Sequence, residues 1–85
     1  MFRSENKVIT GILVPANSSV VVDAEGFGTN PTVACIINTF NDDYILGSGY
    51  IMGEYGDSGT MRVTLHNTYS ADKVVNISAI RICLP

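Results

Sequence analysis

The chain has 85 residues, 46% of them hydrophobic and 15% charged, with a formal net charge of −3. That is one domain, small enough to bury only roughly 60–65% of its unfolded surface and well under the ~25% of charged residues usual in soluble domains. Its five basic residues, Arg3, Lys7, Arg62, Lys73 and Arg81, are scattered, which argues against nucleic acid and against an anionic membrane surface as partners, since both need clustered cations.

The opening stretch MFRSENKVITGILVP places a basic residue before an apolar run. Thr10, Gly11 and Pro15 interrupt that run far short of the ~20 residues of a membrane span, and no small-x-small cleavage site follows closely. We expect synthesis and folding in a cytoplasm. Within this stretch residues 7–14 form the first predicted strand, stopped by Pro15-Ala16-Asn17. Val8, Ile12 and Val14 oppose Ile9 and Leu13 in parity, which predicts burial on both faces.

The second strand is Ser19–Ala24, a run of valines leading into the loop Gly26-Phe27-Gly28-Thr29-Asn30-Pro31. The third covers residues 32–39 and breaks at Asn41-Asp42-Asp43. The fourth, residues 44–52, contains Gly47 and Gly49, which predicts strong twist or a close approach of another backbone. Gly56-Asp57-Ser58-Gly59 opens the fifth, residues 60–67, where Met61, Val63 and Leu65 alternate with Arg62, Thr64 and His66 as one dry and one wet face. The last is Lys73–Cys83. Its apolar parity changes from Val75, Ile77 and Ala79 to Ile80 and Ile82, which implies a β-bulge near Ala79 or burial on both faces. Turns recurring about every ten to fourteen residues between β-branched runs predict an all-β fold, a single antiparallel β-sandwich of six strands spanning 1–85, jelly-roll-like or immunoglobulin-like.

Residues 8–22, 26–41 and 44–53 hold no charge of either sign. An ordinary surface sheet has one apolar and one polar face, whereas here both look dry. The expectation is a homo-oligomer, a trimer first, with residues such as Ile9, Leu13 or Ile36 buried between subunits.

Chemistry is thinly signalled. Gly56-Asp57-Ser58-Gly59 matches the stretch around the nucleophilic serine of chymotrypsin-like proteases. The match ends at Thr60, and the only histidine, His66, follows the serine instead of preceding it. Such a turn is also what hairpin chemistry selects. Asn41-Asp42-Asp43, with Asp57 as a second source of oxygen ligands, is a weak cation candidate whose spacing is not that of an EF-hand. Tyr44, Tyr50, Tyr55 and Tyr69 lie at strand ends or turns, where they either cluster as a sugar-binding platform or pack at strand edges with wet hydroxyls. Cys35 and Cys83 read as reduced thiols in the apolar interior, with Cys35 on the parity of Val33 and Ile37. Two cysteines without paired histidines do not make a zinc site. No cofactor, metal or catalytic residue is assigned.

The ILVPANSSVVVD opening, the loop GFGTNPT and the ending VVNISAIRI resemble, in general pattern, the small β-sandwich proteins that bacteriophages use as virion accessories: head-decoration, fibre or spike modules. The resemblance implies a structural or attachment role in the virion, a trimer or higher ring, and no catalysis, with other virion proteins as expected partners. The alternative is a carbohydrate-binding module that recognises a host glycan. Binding residues concentrate on loops over a rigid scaffold, so the candidate partner contacts are Phe27 and Asn30 in one loop and Asp42, Asp43 and Tyr44 in another. Phe27, apolar between glycines, either meets a partner or folds back as a lid on the core.

Overall fold

The computed structural model describes residues 1–53 and 59–85. Its six strands are β1 (Arg3–Val14), β2 (Ser19–Ala24), β3 (Thr32–Asn38), β4 (Ile45–Ile51), β5 (Met61–Asn67) and β6 (Lys73–Cys83). They form two antiparallel three-stranded sheets, ordered β1-β6-β3 and β2-β5-β4. Inward residues of both sheets make one core, in which Val14, Met61, Val63, Leu65, Ile77 and Ala79 are fully buried.

The pairing is nested. β1 lies on β6 and β2 on β5, while β3 of one sheet packs beside β4 of the other. The chain thus runs out through three strands and back through three. One end of the molecule carries the β2–β3 and β4–β5 connections and both termini. The opposite end carries the β1–β2, β3–β4 and β5–β6 loops.

β1 begins at Arg3, earlier than its apolar pattern, because Arg3, Ser4, Glu5 and Asn6 pair with Cys83, Ile82, Arg81 and Ile80 of β6. Here tertiary pairing overrides a polar local sequence. The opposed parities within β1 come from a bulge and not from two-sided burial. Register shifts between Ile9 and Ile12, Gly11 adopts φ +69°, and its N–H donates to Asn76 Oδ1 at 2.9 Å. Upstream of the bulge Ile9 faces the core while Val8 is exposed; downstream Ile12 and Val14 are buried while Leu13 is exposed. One extra residue flips the faces.

β6, by contrast, keeps a single phase. Val75, Ile77, Ala79, Arg81 and Cys83 all face inward, with Ile80 and Ile82 half-buried on the other side. No bulge lies at Ala79; the residue that disguised the pattern is Arg81, charged yet on the core parity. A second shift falls in β3 between Thr32 and Ala34, leaving Val33 exposed and Cys35 on the inward face with Ile37. Cys83 is buried, Cys35 half-buried, and both are free thiols.

What approaches Gly47 and Gly49 closely is side chains, not another backbone. A Cβ on Gly47 would meet Ile37 Cγ2 at 2.7 Å, and one on Gly49 would meet Met61 Sδ at 2.9 Å. Ile37 of β3 therefore sits directly over the glycines of β4 and seals that side of the core. Gly47→Ala is expected to destabilise the fold by about 1–3 kcal/mol through overpacking, more than Gly49→Ala, whose thioether neighbour can turn aside. Denaturant titration should also show a smaller cost for Gly47→Ala in an Ile37→Ala background; equal costs in both backgrounds would refute the contact.

Candidate functional site

The candidate contacts fall at opposite ends and cannot act together. At the first end, Phe27 is only 6% exposed and belongs to the core, so its side chain lies where the lid reading put it. Its N–H donates to Gly59 O at 2.9 Å. Gly59, at φ +77°, leaves no space for a side chain, since a Cβ there would lie 2.6 Å from Phe27 O. Gly56, Asp57 and Ser58 of the protease-like turn, and Tyr55, lie outside the described residues. Asn30 is a staple: its amide donates to Leu84 O at 3.1 Å, and its carbonyl accepts from Arg81 Nη1 at 2.8 Å.

Arg81 itself is 1% exposed, and a buried cation demands partners. Glu5 supplies them. Arg81 Nε donates to Glu5 Oε1 at 2.8 Å, Arg81 Nη2 forms a shorter bond to the same oxygen, and Gly28 N–H donates to Glu5 Oε2 at 3.0 Å. The carboxyl of Glu5 is held below its ordinary value of 4.5, first by the Gly28 N–H and then by the Arg81 guanidinium, against the opposing effect of burial. β1, β6 and the β2–β3 loop are thus tied at one point.

At the second end, Asp42 is engaged by its own loop. Its Oδ1 accepts from Tyr44 N–H at 3.1 Å and its Oδ2 lies 3.3 Å from Lys73 Nζ. Tyr44 and Tyr69, both substantially exposed, stand with ring centroids 4.6 Å apart at 49°. The Lys73 ammonium lies 5.0 and 5.2 Å from the two centroids, within cation–π range. Asp43 is exposed beside them. Phe40, also exposed, adopts φ +54°, a conformation rarely tolerated by a bulky side chain; Asn38 Oδ1 accepts its N–H at 2.9 Å.

Of the described tyrosines, then, two meet. Tyr50 lies elsewhere, on the outward face of β4 beside Arg62. Asp57, named with Asn41-Asp42-Asp43 as a source of oxygen ligands, lies outside the described residues. Among the described residues no group of three or more His, Cys, Asp or Glu side chains is arranged to hold a metal.

On the outward face of β2-β5-β4 the β5 residues are polar, as its alternation predicts, while Val21, Leu46 and Tyr50 of the flanking strands are exposed beside them. Arg62 bridges Asp23 through two bonds of 3.0 and 3.2 Å, which hold the Asp23 carboxyl low. His66 pairs with Ser19, Nδ1 to Oγ at 2.7 Å. That is nucleophile–base distance, but a working pair needs a third group to orient the base, and the neighbour of His66 on its other side is Leu46.

Two features escaped the sequence reading. The Glu5–Arg81 pair joins residues from opposite ends of the chain, and its one local signal was a cation on an otherwise apolar parity of β6. The Ser19–His66 pair likewise joins two strands whose register no local pattern gives. Comparison of the chain with family models, with curated proteins and with solved structures finds no match.

A depressed carboxylate stabilises the fold above its unfolded value, and that contribution is lost as pH falls through the lower folded value. Glu5→Gln is therefore expected to cost about 1–3 kcal/mol at pH 7, because it uncouples a buried cation while keeping an acceptor oxygen. It should also flatten the decline in stability expected of the wild type below pH 4.5, where Glu5 takes up its proton. Identical slopes of unfolding free energy against pH in the two proteins would show that Glu5 does not titrate with folding.

Proposed function

We propose that the chain is a non-enzymatic, self-assembling structural module of a virion, a capsid decoration or fibre component. Its fold is a minimal jelly-roll sandwich. The nested pairs β1·β6, β2·β5 and β3·β4 support that topology, since a jelly roll is a long hairpin rolled so that strand partners fall in two facing sheets. Jelly rolls serve capsids and lectins alike, so topology by itself favours a role only by analogy.

The observation that carries the assembly reading is the outward face of β1-β6-β3. No strand position on that face bears a charge, and its side chains include Val8 at 61% exposure and Val74 at 70%, with Leu13 and Ile36 also exposed. They surround the half-buried Ile80 and Ile82. Such a stretch of apolar side chains on one sheet marks an interaction surface. A neutral face of valines, isoleucines and amides is matched by an equally neutral one, which a second copy provides. Three strands of this length span about 500 Å2 in projection, against roughly 800 Å2 per partner in a standard interface. A ring, in which each subunit is contacted on two sides, fits that shortfall better than one isolated face-to-face contact, and a trimer is the smallest such ring. The resemblance in sequence pattern to phage virion accessory proteins supports the virion setting.

Val8→Lys combined with Ile36→Lys puts cations on this face without touching the core. The double variant is expected to lower the native mass of the assembly while the melting temperature of the subunit holds within a few degrees. An unchanged mass would refute assembly through this face.

The Tyr44–Tyr69 pair favours a second reading, recognition of a neutral glycan by the second end. Two exposed rings beside Asp43 and the Asp42–Lys73 pair combine apolar faces for stacking with polar groups for hydroxyls. Tyr44 holds the loop by its backbone, its carbonyl accepting from Thr68 N–H and Oγ1, so Tyr44→Ala removes the ring alone. On a glycan array this variant should lose whatever binding the wild type shows; full retention would dismiss the platform.

A further inference from the structure

We infer that β2 is an edge built to pair with β2 of a second copy, joining two molecules into one continuous six-stranded sheet. This inference does not rest on the apolar face of the other sheet: it follows from backbone geometry at a different surface.

Of the four edge strands, β3 and β4 lie against one another and cover each other's flanks. β1 carries Arg3, Glu5 and Lys7 and then a bulge at Gly11, two of the devices that keep an edge from pairing. β2 has neither along its valine run; its register with β5 is unbroken from Ser19 to Ala24. Ser18 O accepts from Asn67 N–H at 2.9 Å, so the alternation of an antiparallel ladder turns Val20, Val22 and Ala24 toward β5. The N–H and C=O groups of Ser19, Val21 and Asp23 then point to the open edge, and the Val21 side chain is 58% exposed.

The side chains are self-complementary about a two-fold axis at Val21. An antiparallel partner in that register sets Val21 against Val21, Val20 against Val22, and Ser19 against Asp23 of the other copy. On the inward side Val20 and Val22, only partly buried in the subunit, complete their burial on each other. On the outward side the Asp23 carboxylate, bridged to Arg62, keeps lone pairs free to accept from the Ser19 hydroxyl of the other copy, whose proton is available for this in the tautomer where His66 Nδ1–H donates to Ser19 Oγ. Every position finds an apolar or hydrogen-bonding counterpart, and no like charges are opposed. The contact is isologous, as closed two-fold interfaces are.

Val21→Cys tests it directly, since hydrogen-bonded opposite residues stand about 5.5 Å apart, within disulfide reach. Mild oxidation is expected to give a covalent dimer linked 21-to-21 by peptide mapping, whereas Leu46→Cys, on the far edge of the same outward face, should give none. Val21→Lys should halve the native mass, and Val21→Thr should leave it intact. No cross-link at position 21, cross-linking at position 46 at the same rate, or an unchanged mass for Val21→Lys would each overturn the pairing. The Val8→Lys/Ile36→Lys double variant reports on the other face separately, so failure of one contact is not mistaken for failure of the other.

Discussion

A cation placed on the core side of the central strand governs the architecture of one end of the molecule. Arg81 is opposite Glu5 on one neighbouring strand and Cys35 on the other, and it reaches across to Asn30 O. A buried ion pair is weak grounds for stability, because desolvation offsets most of the attraction. Its consequence here is positional. Sliding β1 by one residue would set Ser4 or Asn6 opposite Arg81 and carry Glu5 to the outward face, leaving a guanidinium buried without its counter-ion. Register in β1 and docking of the β2–β3 loop through Gly28 and Asn30 both follow from satisfying that one group.

The same residue explains where the sequence misleads. Strand existence was legible throughout, because β-branched runs bounded by Gly, Pro and Asn turns are a local signal. That Gly47 and Gly49 leave room for a neighbour was legible too, but not that the neighbours are the side chains of Ile37 and Met61 instead of a backbone. Phase was not. In β6 the charged Arg81 hides a regular alternation, so Ile80 and Ile82 suggest a bulge or two-sided burial; there is no bulge, and they are half-buried on the outward side. In β1 the slip was real, but Gly11, its cause, passed as an interruption of an apolar run. Parity arguments depend on assigning each residue to a face by polarity, and they fail where a polar residue is inward with a distant partner or an extra residue is inserted. Glu5–Arg81 and Ser19–His66 were invisible for a related reason: both rest on long-range register.

Uncharged stretches predicted two dry faces, and the structure divides that expectation between the sheets. β1-β6-β3 presents an uncharged, largely apolar face outward, whereas β2-β5-β4 mixes the exposed Val21, Leu46 and Tyr50 with the Asp23–Arg62 bridge, Thr64, Ser48 and the Ser19–His66 pair. Charges distant in sequence were brought side by side. Ile9, expected between subunits, faces the core, while Leu13 and Ile36 remain outward. The candidate loop residues separate likewise: Phe27 and Asn30 hold one end closed, and Asp42 and Tyr44 belong to a partly exposed aromatic corner at the other.

Assembly from such a subunit has a physical constraint of its own. The accessible surface is 4957 Å2, close to the roughly 4,900 Å2 that size scaling gives for a compact monomer of this mass. The surface is therefore that of a closed unit, not of a chain extended to exchange an element with a neighbour. Neither the flat apolar face nor the straight edge of β2 needs to refold in order to be used; both are presented on strands already fixed by the core. Binding then costs little ordering of backbone, and most of the unfavourable term is the lost freedom of whole molecules. Preformed surfaces of this kind associate with small structural change, so the two proposed contacts, one on a face and one on an edge, would hold copies of the module without remodelling it.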